Sequence, residues 1–398
     1  MPSTLLAPSI PQNLESAIEN LDPAILDPAR RRELLSHAFE LRSGRERPGP
    51  FWKIDLDSLD FSSYAVAKPS RARIAAPAAS RIIACDLSEA IEKHRDLVTQ
   101  ALGTAVGSLH YKFAALAGAL CNIGAFIYIP ADCAVDDPIE VAYTADAAAL
   151  FPYTLVLAEH GSRCTIVERA EGGSGTMVCG ITEIISRENS IVSYAAEQDL
   201  APDARAIFTR VAAPGESASI AWSFAEMGAV LAVSSVDVIV DQPGAQVQLN
   251  GFFFPRGDQH VDLVSTIRHN VGESSSETII KSAAHERGQA RYLGNIRIAP
   301  HAQGTQASLR DDALLLSRKA HIDSIPALEI GANDVKAYHG ATIGALDEDV
   351  IFYMESRGIN RDAAEKMITL GFFDPVIERF PTAALRDRLR AGVEAKIA

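Results

Sequence analysis

The spacing of apolar positions changes twice along the chain. Up to about residue 110 they recur at helical intervals. Asp27-Pro28 opens a run through Leu34, Leu35, Phe39 and Leu41. Asp86-Leu87-Ser88-Glu89 has the form of a capping box ahead of Ile91, Leu97, Val98 and Leu102. Between these runs lies a Pro-rich linker, RERPGPFWKIDLDSL. From residue 112 the pattern shortens to runs of Val, Ile, Phe and Tyr separated by Gly, Pro, Asp or Asn. They include Ala125–Ile129, Tyr153–Leu157, Thr165–Glu168, Val230–Val233, Val236–Val240, Val247–Asn250, Val261–Ile267, Ala290–Ile298 and Ala313–Ser317. Alternation is partial: Val236, Val238 and Val240 share one face, opposite Asp237 and Ile239. No helix of ordinary length is legible between about 200 and 340, so this stretch predicts a sandwich, a barrel or a β-helix. A β-helix is favoured, its coils needing roughly 20 residues or more each, with Gly244, Gly251, Gly288, Gly294, Gly304 and Gly331 as corners. His269, His285, His301, His321 and His339 recur at intervals close to such a repeat, but coincidence among ten histidines is the better reading.

Helical spacing returns near Leu346. Asp347 is placed to cap a helix that stops at Gly358, Asn360 a second, and Pro381 opens a third. The expected organisation is therefore mainly β: a helical N-terminal region over 1–111, a β core over 112–344 and a small helical domain over 345–398. The last of these carries aromatics that look exposed, Phe352, Tyr353, Phe372 and Phe373.

Composition narrows the function classes. The 37 Lys and Arg against 51 Asp and Glu leave a formal charge of −14. That balance disfavours nucleic acid, whose phosphates require clustered cations, and an anionic membrane surface. The N-terminus has neither a basic segment nor a long apolar one, and the most apolar windows are too short to span a bilayer, so the expectation is a cytoplasmic protein. Five cysteines, an odd number with no CxxC, read as reduced thiols. None follows Cys179, so the C-terminal half has no thiolate to offer a metal or cluster.

Candidate chemistry is sparse. The run Gly172–Gly175 lacks the Lys-Ser or Lys-Thr of a phosphate loop, and Thr176 stands where a nucleophile elbow around Ser174 requires Gly; a strand-connecting turn is expected. His260 and Asp262 share a strand face with His269 opposite, which fits hydrogen bonding inside a β-rich interior better than catalysis. Asp311, Asp312 and Glu329 could serve a polysaccharide-acting β-helix enzyme, although no aromatic sugar platform accompanies them. His339 is different. It lies at the expected strand-to-helix junction beside Gly340, where a neutral imidazole could hold iron or zinc or relay a proton. Alone it makes at most a partial site, to be completed by a partner chain.

Three segments carry a family resemblance: HVDLVSTIRHNVGESSSE, GNIRIAPHAQGTQASLRDDALLLS and LEIGANDVKAYHGATIGALDEDVIFYMESRGI. They are similar to the SufB/SufD family of iron–sulfur cluster assembly proteins, and the length is nearer to its SufD members. Weaker likeness runs upstream through KFAALAGALCNIGAFIYIP and IEVAY, and to FWKIDLDSL. The resemblance implies a right-handed parallel β-helix core between helical N- and C-terminal regions. It implies a non-catalytic scaffold that pairs with a SufB-like subunit through the β-helix and with a SufC-like ATPase through the C-terminal helices. Phe352, Tyr353, Arg357, Phe372 and Phe373 would be the docking residues. Iron or a cluster would be held at the SufB interface near His339, and ATP by the SufC partner, with no cofactor on this chain alone. One departure stands out: SufD-like sequences often carry Cys two positions before that histidine, and here it is Ala337. A standalone homodimeric interaction protein remains the other alternative.

Overall fold

The computed structural model describes residues 10–41, 54, 59–77, 81–108 and 111–397. Apart from Ile54 and Leu59, the Pro-rich linker lies outside them. The described helices of ordinary type are α1 (Gln12–Ala17), α2 (Pro28–Glu40), α3 (Leu87–Lys93), α4 (Arg95–Thr99), α5 (Lys112–Leu120), α6 (Glu348–Ser356), α7 (Arg361–Ile377) and α8 (Ala383–Ile397). The strands are β1 (Arg73–Ala75), β2 (Ile83–Asp86), β3 (Ile123–Ile129), β4 (Ile139–Ala145), β5 (Ala149–Leu150), β6 (Pro152–Ala158), β7 (Arg163–Gly172), β8 (Met177–Ser186), β9 (Ile191–Leu200) and β10 (Arg205–Pro214). They continue with β11 (Ser219–Glu226), β12 (Leu231–Val240), β13 (Gln246–Phe253), β14 (His260–His269), β15 (Ser275–Ala284), β16 (Gln289–Ile298), β17 (Gln306–Leu315), β18 (His321–Ile330) and β19 (Lys336–Ala345).

From β6 onward consecutive strands do not pair with each other. Each pairs in parallel with the strand two places on, which, with β1 to β4 at its start, builds one sheet in the order β1-β4-β7-β9-β11-β13-β15-β17-β19 and a second from β18 back through β16, β14, β12, β10, β8, β6 and β3 to β2. This is a parallel β-solenoid of about eight turns with helices at both ends. Leu231 lies beside His260, His260 beside Gln289 and Gln289 beside His321, so successive coils take 29, 29 and 32 residues. Gly244 and Gly304 turn corners at φ +73°. Gly251 and Gly294, expected at corners, sit instead in mid-strand on the inner face, where a Cβ would strike the Phe224 ring or Leu309 and the Tyr292 hydroxyl. The five spaced histidines share no column: His285 and His301 lie in turns, and only His339 is central to a strand.

Strand alternation sends one set of side chains between the sheets. Tyr194, Trp222 and Leu249 form one such column, with the Tyr194 and Trp222 rings 5.4 Å apart. The outward sets are covered separately. On the ten-stranded sheet Phe126, Leu155, Ile181 and Val211 pack under the N-terminal helices. Asp27 caps α2 as expected, whereas the single run expected from Leu87 breaks at His94 into α3 and α4. On the nine-stranded sheet Phe252, Phe254 and Ala225 meet Phe373, Ile377 and Leu389 of α7 and α8. Phe373, expected to be exposed, is therefore buried, 5.2 Å from the Phe252 ring.

The interior also holds charge. Arg210 and Glu226 face each other at 2.7 Å between the sheets, with Ser234 donating to Glu226. A buried pair is strongly destabilised by loss of one member but tolerates joint replacement by apolar groups. Arg210→Ala should lower unfolding free energy by about 3–5 kcal/mol, while Arg210→Met with Glu226→Leu should recover most of it. Guanidinium unfolding of both variants measures this, and equal losses in the two would contradict it.

Candidate functional site at the open end of the solenoid

The two ends of the solenoid are finished differently. At the first end β1 and β2 run antiparallel to β4 and β3 and close the ladders. At the other end β19 and β18 are the last strands of their sheets, and among the described residues nothing continues either ladder. Ile343 continues the inner column of Ala313, and Ile330 that of Ile298, yet they are 48% and 41% exposed because no further coil lies over them. An uncovered inner face with free strand edges invites pairing with another chain.

His339 belongs to this face. It is the fourth residue of β19, in register with Leu309, whose side chain is in the core. The expected strand-to-helix junction is therefore not where it sits; the strand runs six residues further, to Ala345. It is exposed, and beside it Gly340 has open space where a Cβ would stand. Ala337, at the position where the resembling sequences carry Cys, is on the same inner face and half-buried.

Asp311 lies one strand deeper. It pairs in register with Ala341, two positions beyond His339 on the same inner face. Its carboxyl is wholly buried; Ser324 of β18 donates to Oδ2, and Oδ1 has no partner. Burial pushes this carboxyl up to about 7, and the neighbouring Asp312 charge adds to the rise. Tyr292 and Ser265 continue the polar cluster inward, their hydroxyls 2.7 Å apart. Asp312 faces outward, bound by Lys281, Arg310 and Thr342. Glu329 is on the surface, 3.1 Å from Arg297. Asp311 and Asp312 thus lie on opposite sides of one strand, and the carboxylates considered for polysaccharide cleavage do not converge.

Other candidates resolve into structure. Gly172–Gly175 joins β7 to β8 as a turn. Asp262 takes a bidentate grip from Arg291, both bonds 2.8 Å. His269 is bonded by Ser274 and Ser276, and burial lowers its pKa to about 4, so it is a neutral corner bolt of the interior. All five cysteines are free thiols, none near this end. Among the described residues no three His, Cys, Asp or Glu side chains converge to hold a metal, and no helix is long and apolar enough to cross a membrane.

A second surface follows directly from β19. Asp347 caps α6 as expected, accepting from the Asp349 and Val350 amides. Of the α6 residues only Ile351 is buried. Phe352 is 71% exposed and Tyr353 58%, with the Arg357 guanidinium 5.2 Å over the Tyr353 ring. Val350, one turn from Tyr353 on α6, is also exposed, as is Met367 of α7. Phe372 is half-buried under Lys281, and Phe373 faces the core.

The molecule is thus a parallel β-solenoid with one closed end, one open end carrying an imidazole, and a helix with an exposed aromatic face following directly from that end. Residues 141–372 match the family described as "SUF system FeS cluster assembly, SufBD core domain", and the chain belongs to the SufBD family of iron–sulfur cluster assembly proteins. It is 28% identical to the iron-sulfur cluster assembly protein SufD of Bacillus subtilis over 355 residues, 86% of this chain and 81% of that one. An iron-sulfur cluster assembly SufBD family protein of Staphylococcus saprophyticus is 25% identical over 305 residues, 75% of this chain and 66% of the relative's length.

The raised Asp311 pKa has a thermodynamic consequence. The folded state binds a proton more tightly than the unfolded chain, so its contribution to stability is complete below about pH 4 and declines as pH rises to about 7. The limiting slope is about 1.4 kcal/mol per pH unit. In a chelator, Asp311→Asn should flatten this decline between about pH 4 and 7 in denaturant titrations. An unchanged slope would contradict the assignment.

Proposed function

We propose that this chain is a SufD-like scaffold, non-catalytic on its own, that supports iron acquisition and cluster assembly at an interface with a SufB-like subunit. The observation that carries the reading is the open solenoid end, where an uncovered inner face presents His339 in a chain of the SufBD family. A SufB-like β-helix with a matching open end would cover Ile330 and Ile343 and continue the ladders through β18 and β19. Iron or a nascent cluster, as cargo, would then lie between the subunits, with His339 contributing one imidazole and the partner supplying sulfur ligands that this half of the chain lacks. The SufC-like ATPase would dock on the patch of Val350, Phe352, Tyr353 and Arg357 and hydrolyse ATP in support of assembly. A homodimer through the same end is the resting alternative for the isolated chain, and a cytoplasmic setting is consistent with these roles.

His339→Ala should leave folding and subunit association intact and lower cluster formation in cells by tenfold or more, read from the iron and acid-labile sulfide of the purified complex. Wild-type content would sink the role given to His339. For the ATPase surface, truncation at Leu346 is a poor test, because α7 and α8 cover Phe252 and Phe254 and their loss would strip the nine-stranded sheet. Phe352→Asp with Tyr353→Asp leaves that packing in place. The double variant should lose co-purification with the ATPase while its melting temperature stays within a few degrees of wild type. Retained co-purification would place the ATPase elsewhere.

A further inference from the structure

Among the buried carboxylates of the described residues Asp311 accepts the fewest hydrogen bonds; Asp86 and Glu226 also keep one oxygen without a donor, but Asp86 takes two bonds from Ser88 and Glu226 pairs with Arg210. Glu168 receives hydroxyls from Thr154, Tyr194 and Thr182. Glu183 receives three backbone amides, from Gly103, Ala105 and Val106, and the Tyr153 hydroxyl. Glu226, Asp237 and Asp262 each have an arginine. Asp311 has one hydroxyl, no cation, and an oxygen wholly buried without a donor. A buried oxygen left without a donor is costly, and this one lies at the end of the solenoid left uncovered. The register places it diagonally from His339 on the inner face. With strands about 4.8 Å apart and about 3.3 Å of rise per residue, the two Cα atoms are ~8 Å apart. Carboxylate and imidazole side chains projecting to the same side from that separation can meet on one ion.

We propose that Asp311 and His339 together form a divalent transition-metal site within this chain, so that the solenoid end holds an ion before any partner supplies a ligand. The inference rests on the reading above only in taking the open end as the working surface. One carboxylate and one imidazole make a nitrogen–oxygen site suited to Fe²⁺, Mn²⁺ or Co²⁺. The remaining coordination positions are left to water or a partner, since no third ligand converges here among the described residues. The ion would supply the positive charge that no Lys or Arg among the described residues supplies to Asp311, and it would engage the orphaned Oδ1.

The test uses the full chain, stripped of metal by chelation, with Co²⁺ titrated by visible absorption and Mn²⁺ by loss of the free-ion paramagnetic resonance signal. The expected result is one ion per wild-type chain, with affinity reduced at least tenfold in both Asp311→Asn and His339→Ala. His321→Ala, which changes the exposed His321–Asp323 pair on the outer face of β18, should bind as wild type. Circular dichroism and melting curves of each variant confirm folding. Should Asp311→Asn misfold, Ser324→Ala, which frees the carboxyl without removing it, should retain binding. Wild-type affinity in folded Asp311→Asn, or loss confined to His321→Ala, overturns the proposal. If Asp311→Asn binds normally while His339→Ala still lowers cluster formation in cells, the two-residue site falls and the scaffold reading stands. Metal binding that follows the expected pattern, with cluster formation untouched by His339→Ala, leaves the site and removes the reading.

Discussion

Every coil of this molecule depends on the coil beside it. A strand of a parallel solenoid satisfies its amides and covers its inward side chains only through a neighbour in the next turn, and Tyr194, Trp222 and Leu249 are stacked by that rule. The chain cannot obey it at both ends. At the start antiparallel β1 and β2 and the helices packed behind them supply the missing neighbours. At the finish the rule is left unsatisfied, and the apolar columns simply run out into solvent at Ile330 and Ile343. The surface proposed for function is the place where the folding principle stops being met.

The polar groups of the interior are settled in different ways. Midway, Arg210 and Glu226 neutralise each other in full burial. Near the open end Asp311 has no such partner, and its neutral form is the one the fold favours. The contrast has a physical logic: a charge buried in a closed interior must be settled there, whereas an uncovered end leaves room for a group from outside to settle it.

Much of this was legible in the sequence, for identifiable reasons. The β core showed itself through Val236, Val238 and Val240 and through the absence of helical spacing, and the caps Asp27, Asp347 and Asn360 were placed correctly. The coil period was not legible, because coils of 29 and 32 residues share no consensus. The last strand carries Gly340 and Gly344 and little apolar alternation, so it was not legible as a strand and His339 seemed to mark a junction. Phe372 and Phe373 are adjacent on a helix, and sequence could not say which of the two meets the Phe252 ring. The opposite fates of Asp311 and Asp312 were within reach, since neighbours on a strand face opposite ways, but which of them turned inward required the register with β15 and β19. The resemblance over the last third, by contrast, held across the matched core domain.

The attachment of α6 gives the open end a mechanical character. Leu346 and Asp347 join it directly to β19, while α7 and α8 are anchored to the nine-stranded sheet by Arg388 on Glu197 and Arg379 on Glu277. A pull on α6 directed along β19 would therefore load the final strand against its ladder of bonds with β17, in shear. Such a linkage resists peeling and transmits displacement, so a small rotation of α6 would reach the inner face of the terminal strand as a shift along its length.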